Sequence, residues 1–393
     1  MHREGQKPSK IAREIGKSRQ WVYKWVNRSK EGEEGWYESH SHAPHESRTK
    51  TSSSKEEKIV EARQHLTESP YMEAGAYAIW HYMDSLGEKP PSVATINRIL
   101  SKHGLTNKKV KYQKSGIEYP SIPEDTQIMD LIGPRYLRGG RRFYMLDIIS
   151  NDSRHAGAFP MLSKSGENIT KSVTEFWKQY SVPEYLQMDN ELSFKGSNRH
   201  PRGLGILIRT ALELNVTPVF IPVSEPWRNG VVERFNQHVE RTLLMQEHRD
   251  FDELVAHSKE FTEQHNHGHH YSTLGHKTPE ELDKELAYPL EPLDENYAVS
   301  VRPGLVMLCR NEIRFIRLVR SDLKINILNT EITVDERLMY TYVEALLYVN
   351  EHVLLLRQDG KIVQRFEFIM PLIKCTKCQR TLDTYASLES ATP

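Results

Sequence analysis

Three acidic side chains stand where an acid is either costly or placed for use. Asp130 interrupts the apolar run QIMDLIG, Asp189 ends EYLQMDN, and Glu233 lies in PWRNGVVERFNQHVERTLL. A charge inside a β-rich run pays for desolvation unless something offsets it. A strand that ends and opens a loop is a frequent home for functional groups. Carboxylates are hard oxygen donors, and Mg²⁺ and Mn²⁺ favour such ligands while retaining water and substrate oxygens. One acid from each of two strands and a helix therefore suggests a divalent-metal site. Any of the three taken alone would read as a solvated surface group or a helix cap.

The elements that must position these acids can be read from periodicity. A Pro-Trp-Arg-Asn-Gly turn feeds a helix whose apolar residues Val232, Phe235, Val239 and Leu243 recur at steps of three and four. Glu233 falls one turn past Gly230, on the flank of that stripe, so its carboxylate can face a sheet edge. Upstream, QIMDLIG, RRFYMLDIIS and RHAGAFPML read as three successive strands, the first two joined by a Gly139-Gly140 turn. ENITKSVTEFWKQY is then a helix, EYLQMD a strand, LGILIRTALELN a helix and TPVFIP a strand before the Glu233 helix. The order β-β-β-α-β-α-β-α is α/β.

The succession of strand-borne Asp130, MDNE at 188–191 with Phe194 after it, and PWRNGVVERFN resembles the catalytic core of integrase-like transposases with a D, D, E triad. Bacterial insertion-sequence transposases and retroviral integrases share that core. The resemblance runs from about Thr126 to Leu282 and includes the closing stretch HNHGHHYSTLGHKTPEEL. It implies a ribonuclease H-like fold, with Asp130, Asp189 and Glu233 as catalytic and metal-binding residues. It also implies two Mg²⁺ (or Mn²⁺) ions, which in such sites lie about 3.5–4 Å apart and serve the attacking and leaving oxygens of an in-line displacement at phosphorus. Water would nick the element's ends, and the freed 3′-hydroxyl would then attack target DNA. Two departures stand out. Glu191 occupies a position where the family commonly has Gly, which offers a spare ligand or a disturbing charge. The interval from Asp189 to Glu233 is also long, its excess falling in FKGSNRHPRGLG, where Lys195, Arg199 and Arg202 either touch DNA or sit on an inert insertion.

Residues 1–30 carry nine Lys or Arg against two Glu. Two short helices around Gly16 are expected, with Ser18 capping the second and Val22, Trp25 and Val26 turned inward. Arg19, Gln20, Tyr23, Lys24 and Asn27 then share the outer side, the residue mix a helix needs to meet phosphates and base edges in a major groove. The stretch resembles a helix-turn-helix; what precedes Lys7 is too short for the usual supporting helix, so a truncated or externally completed module is expected. Residues 31–54 read as a polar linker whose His40, His42 and His45 are loop histidines. Residues 55–106 return to helical periodicity, and VATINRILSKHGL resembles a second helix-turn-helix with Arg98 and Lys102 facing out. Residues 107–119 form a basic linker, where Lys108, Lys109, Lys111 and Lys114 can track a DNA backbone. Arg228, just before the Glu233 helix, is a further candidate DNA contact.

The core is assigned to 120–285, and 286–393 is a β-rich C-terminal domain expected to form a small antiparallel barrel. Its alternating strands are broken by turns such as Gln358-Asp359-Gly360-Lys361. His265, His267, His269 and His270 lack nearby cysteines, so loop or phosphate contacts are expected there rather than zinc. Cys375 and Cys378 make half a zinc site and read as reduced thiols. The net charge of zero over 393 residues does not bear on DNA binding, which depends on clustering. Three cysteines and the lack of a long apolar run point to a reducing, cytosolic setting without membrane spans, and the resemblance implies a nucleoid-associated protein of a bacterial or archaeal cytoplasm. The expected partners are double-stranded DNA (element ends and target) and further copies of the chain, with no small-molecule substrate. The reading is a DNA transposase; the alternatives are a catalytically inactive DNA-binding regulator derived from one, and a metal-dependent nuclease without joining activity.

Overall fold

The computed structural model describes residues 1–2, 4–31, 36–38, 51–106, 118–196, 202–299 and 312–370. The chain divides into two compact units, Met1–Glu56 and Glu57–Pro393. Among the described residues, no helix is long and apolar enough to cross a membrane.

In the first unit, α1 (Pro8–Glu14) and α2 (Arg19–Glu31) pack through Ile11, Ala12, Val22 and Val26. Pro8 opens α1, where a missing N–H costs nothing. Gly16, at φ +67°, turns the chain, and the Ser18 hydroxyl accepts the N–H of Trp21 at 3.1 Å to cap α2.

Helices α3 (Ser53–Glu68), α4 (Ala76–Ser85) and α5 (Val93–Lys102) close over Ile59, Leu66, Ile79, Ile96 and Ile99. Ser92 caps α5 by accepting the Thr95 N–H at 3.3 Å. Between α3 and α4, Tyr71 lays its ring edge-on against Phe261, 6.0 Å between centroids.

The core sheet begins with β1 (Thr126–Tyr136), β2 (Arg142–Ser150) and β3 (Ala156–Met161), an antiparallel meander. Helix α6 (Gly166–Gln179) carries the chain to β4 (Tyr185–Met188), which lies parallel to β1. A short α7 (Leu192–Lys195) and α8 (Ile206–Glu213) lead to β5 (Thr217–Phe220), parallel to β4. The resulting order β5-β4-β1-β2-β3 is the ribonuclease H-like arrangement expected from the sequence. α9 (Gly230–Arg241), α10 (Phe251–Gly268) and α11 (Pro279–Asp283) follow.

Period-two alternation along β1 and β2 assigns the faces. Met129, Leu146 and Ile148 meet α6 and α8 through Val173, Phe176, Trp177 and Ile208. Ile128, Ile132, Met145 and Ile149 meet α9 and α10 through Val232, Phe235, Val239 and Phe261. Each such fully buried side chain contributes about 1.5–3 kcal/mol. A one-residue slip would reverse both faces, so the register is held firmly. It places Asp130, between Ile128 and Ile132, on the α9 side.

The C-terminal strands differ from expectation. The described ones, β6 (Glu312–Leu318), β9 (Tyr342–Tyr348), β10 (Val353–Gln358) and β11 (Lys361–Glu367), do not close into a separate barrel but extend the core sheet to nine strands. β6 pairs parallel to β5 through Val219 with Arg314 and Phe220 with Phe315, and the rings of Phe220 and Phe315 stack 5.1 Å apart. The physical reason is the outer edge of β5: its free backbone groups are a template for another strand. The apolar core runs without a break from Leu186 to Leu356. β7 (Lys324–Ile327) and β8 (Thr330–Thr333) form a two-stranded ribbon of their own.

Candidate active site

β1 delivers Asp130, the end of β4 delivers Asp189, and the first turn of α9 delivers Glu233. All three line one cleft of about 350 Å³, together with Asn190, Glu191, Glu225, Asn229 and the stretch Ile221–Ser224. A wider hollow of about 660 Å³ adjoins it along α9 and shares Glu233.

Both oxygens of Asp130 are held. Its Oδ1 accepts the Leu131 N–H at 2.8 Å, and its Oδ2 accepts the Asn236 amide at 2.7 Å. Asn236 lies one turn beyond Glu233 on α9, so helix and strand are tied at the site. The Asp189 carboxylate accepts the Glu191 N–H at 2.8 Å. Glu191 itself is engaged by Lys164 and by the Ser193 hydroxyl, the latter at 3.2 Å. The loop after β4 is braced from the C-terminal strands. Arg317 of β6, buried, donates to Asn190 Oδ1 at 2.8 Å and to the carbonyls of Ile221 and Asn326, each at 3.0 Å.

The electrostatics are one-sided. Burial pushes Asp130 above the ordinary carboxylate range, and the charges of Glu233 and Glu191 add to this against the two hydrogen bonds it accepts. Burial, with Asp130 and Glu191 nearby, raises Asp189 to about 6. Asp147 lies directly across the ladder from Asp130, fully buried with neither carboxylate oxygen hydrogen-bonded, and burial raises it well above the ordinary value. The ion pair with Glu191 holds Lys164 high. A cleft of oxygen donors whose ionisation is opposed by its neighbours has the donor chemistry of a site for hard divalent cations, with Asp130, Asp189 and Glu233 on its lining, although among the described residues these carboxylates do not draw into a cluster with all ligand atoms within 4.8 Å of one another.

Residues 214–279 match the integrase core domain family. That segment includes Glu233 and all of α9 and α10. Residues 1–57 match the winged helix-turn-helix family. The first match likens the α9–α10 segment to an integrase core, and the second likens the N-terminal helices to a winged helix-turn-helix. Among solved structures, a simian T-cell lymphotropic virus intasome is 13% identical, with 78% of this chain and 100% of that chain covered and a TM-score of 0.37. The HTLV-2 integrase catalytic core with magnesium is 12% identical, covering 41% of this chain and 97% of that one at a TM-score of 0.33. The BIV integrase core is 16% identical, covering 42% and 95% at 0.32. Superpositions this loose carry no argument about this chain.

The predicted DNA-contacting residues fare unevenly. Arg19, Gln20, Tyr23, Lys24 and Asn27 are all exposed on α2, and Arg98 and Lys102 are exposed on α5. Lys108, Lys109, Lys111 and Lys114 lie outside the described residues, as do His40, His42, His45, Arg199, Cys375 and Cys378. Arg228 is a correction. Its guanidinium is spent inside the fold, bonding Glu225 at 3.1 Å and the Tyr342 hydroxyl at 2.8 Å and stacking 3.9 Å from the Tyr119 ring. A planar cation beside two aromatic rings and a buried acid is better satisfied there than in water. Arg202 is likewise engaged, by Thr330 and the Ile369 carbonyl.

Sequence reading missed Asn236, Asp147, Lys164 and Arg317. Asn236 was open to detection, because it sits three residues from Glu233 on the same helix face. Asp147 interrupts an apolar strand just as Asp130 does. Lys164 and Arg317 give no local signal, since only the fold brings them to the cleft.

Proposed function

We propose that the protein is a DNA transposase that binds the ends of a mobile element and cleaves and joins DNA strands at Asp130, Asp189 and Glu233. The single observation that carries this reading is the convergence of those three acids on one cleft from β1, β4 and α9. The integrase core and winged helix-turn-helix matches support it. Mg²⁺ or Mn²⁺, two ions by the resemblance, supplies activation of the attacking oxygen and stabilisation of the leaving oxygen when bound.

The chain's own residues do the rest. Leu131 and Asn236 fix the two oxygens of Asp130, so the carboxylate is oriented before anything binds. Glu191 N–H sets Asp189, and Arg317 holds the adjoining Asn190. Lys164 offsets part of the acid charge that would otherwise repel a phosphodiester. The first displacement breaks a P–O bond with water and frees a 3′-hydroxyl. In the second, that hydroxyl attacks a target phosphodiester, exchanging one P–O bond for another without an outside energy source. The exposed residues of α2 and α5 serve DNA binding, and self-association holds two ends together.

The test is incubation of the full chain with labelled DNA carrying the inverted repeats that flank its coding sequence, a target plasmid and Mg²⁺ or Mn²⁺. Joined product is the expected result. Cleavage without joining assigns a nuclease, and binding without either assigns an inactive regulator.

A further inference from the structure

Away from the acid cleft, α9 turns a second group of side chains inward. His238 of α9, His265 of α10 and His269 just past it each offer a ring nitrogen, and the three nitrogens all lie within 4.8 Å of one another. His238 and His265 are 6% and 2% exposed. We propose that these three imidazoles form a transition-metal site, with zinc the ion that best suits it.

The distances support coordination. Nδ1 of His238 stands 3.2 Å from Nδ1 of His265. Two Zn–N bonds of about 2.0–2.1 Å at a tetrahedral angle put their nitrogens about 3.4 Å apart. That pair already stands at coordination distance, and the His269 nitrogen lies within 4.8 Å of both. The surroundings also resemble those of a metal ligand: Nε2 of His265 meets the Tyr271 hydroxyl at 3.2 Å, the outward bond that orients a coordinating imidazole.

The protonation states agree. Burial lowers His238 and His265, and it lowers His269 to about 4, so neutral rings, the form that binds metal, prevail near pH 7. The charge of Glu73, on the turn between α3 and α4, acts on His238, His269 and Tyr271 and favours a cation among them. With no thiolate among the three donors, an open fourth position falls to water. Imidazole nitrogen suits zinc rather than Mg²⁺, which separates this site from the acid cleft. An ion here would tie α9, and Glu233 with it, to the end of α10. It also corrects the sequence expectation: His265 and His269 do find a metal-like arrangement, completed by His238 rather than by cysteine.

The experiment uses the full chain, stripped with a chelator and then titrated with Zn²⁺ against a chromophoric competitor, with metal counted by mass spectrometry. One zinc per chain should be lost in His238→Gln and in His269→Ala, with affinity at that site down more than ~100-fold. It should be retained in Cys375→Ser/Cys378→Ser and in Asp130→Asn. At free zinc ~100-fold above Kd, the folded-to-unfolded ratio should rise ~100-fold. Cobalt substitution of the wild-type chain gives a readout that does not depend on variants folding: tetrahedral d–d bands without a thiolate charge-transfer band. No retained zinc, zinc unaffected by the histidine substitutions, or a thiolate band would each overturn the proposal. None of these outcomes touches strand joining, so this site and the acid cleft fail or stand separately.

Discussion

Helix α9 has two clusters on different sides of it, and they solve the same problem with opposite charge. On one side stand carboxylates whose ionisation is opposed by burial and by one another, and Asp189 rises to about 6. On the other stand imidazoles whose protonation is opposed in the same two ways, and His269 falls to about 4. Burial penalises whichever form carries charge, so it raises acids and lowers bases. A cation would stabilise both clusters, but not the same cation. The acid cleft is open, with hard oxygen donors and room for a phosphodiester. The histidine cluster is nitrogen-donating and more enclosed, with two rings buried and that of His269 partly so. Donor type and access, rather than sequence proximity, separate a centre suited to turnover from one suited to holding two helices.

The sharpest way to break the comparison is Asp130→Asn. It keeps the shape and the Leu131 and Asn236 neighbours while removing the charge. Strand joining, read on a sequencing gel, should fall by at least ~10³-fold, beyond the ~10–100-fold typical of residues that only orient a ligand. End binding and zinc content should stay unchanged. A variant that joins strands within tenfold of wild type would remove Asp130 from the chemistry.

Asn236→Ala comes next, because Asn236 orients Asp130 without lining up as a ligand itself. A loss of ~10–100-fold is expected, with the Mg²⁺ concentration for half-maximal joining raised. An unchanged Mg²⁺ requirement would make the residue merely structural. Arg317→Met then tests the reach of the C-terminal strands. Removing the buried guanidinium leaves the Ile221 and Asn326 carbonyls and Asn190 Oδ1 short of a donor. That should cost about 2 kcal/mol in urea denaturation, with joining reduced less than in Asn236→Ala.

What the sequence disclosed and what it hid follow from range. Asp130, Asp189 and Glu233 were legible because each violates a local rule: an acid in an apolar strand, at a strand end, on the flank of a helical stripe. The succession of core elements along the chain was legible because period-two and period-3.6 patterns alternate cleanly from Thr126 to Phe235. The docking of β6 onto β5 was not, since an alternating strand looks the same whether it closes a small barrel or extends a neighbouring sheet. The histidine cluster was half legible. His265 and His269 are one helical turn apart, but His238 is on another helix, and nothing local links them. Arg228 misled for a related reason: an arginine just before α9 looks available to DNA until Tyr119 and Tyr342 are folded around it.

The smallest expected effect concerns pH. Asp189 is raised to about 6 from an ordinary value of 3.8, so the folded state holds its proton more tightly than the unfolded one. Its contribution to stability is therefore fully present below about pH 4 and is lost as pH rises through 6. A divalent cation competes with that proton and binds the ionised form. Millimolar Mg²⁺ should thus raise the melting temperature by a few degrees near pH 7.5 and by almost nothing near pH 5 (roughly 1 kcal/mol moves a domain of this size by ~2–4 °C). In Asp189→Asn, the Mg²⁺ shift should shrink, and the fall in stability between pH 4 and 6 should flatten. The histidine cluster supplies the contrast. Its rings titrate downward, so the zinc-dependent shift should persist at pH 6 and fail only as the solution approaches the values at which the imidazoles take up protons. A Mg²⁺ shift equal at pH 5 and pH 7.5 would mean the ion is not bound where Asp189 titrates, and the two sides of α9 would then no longer differ in the way their donors require.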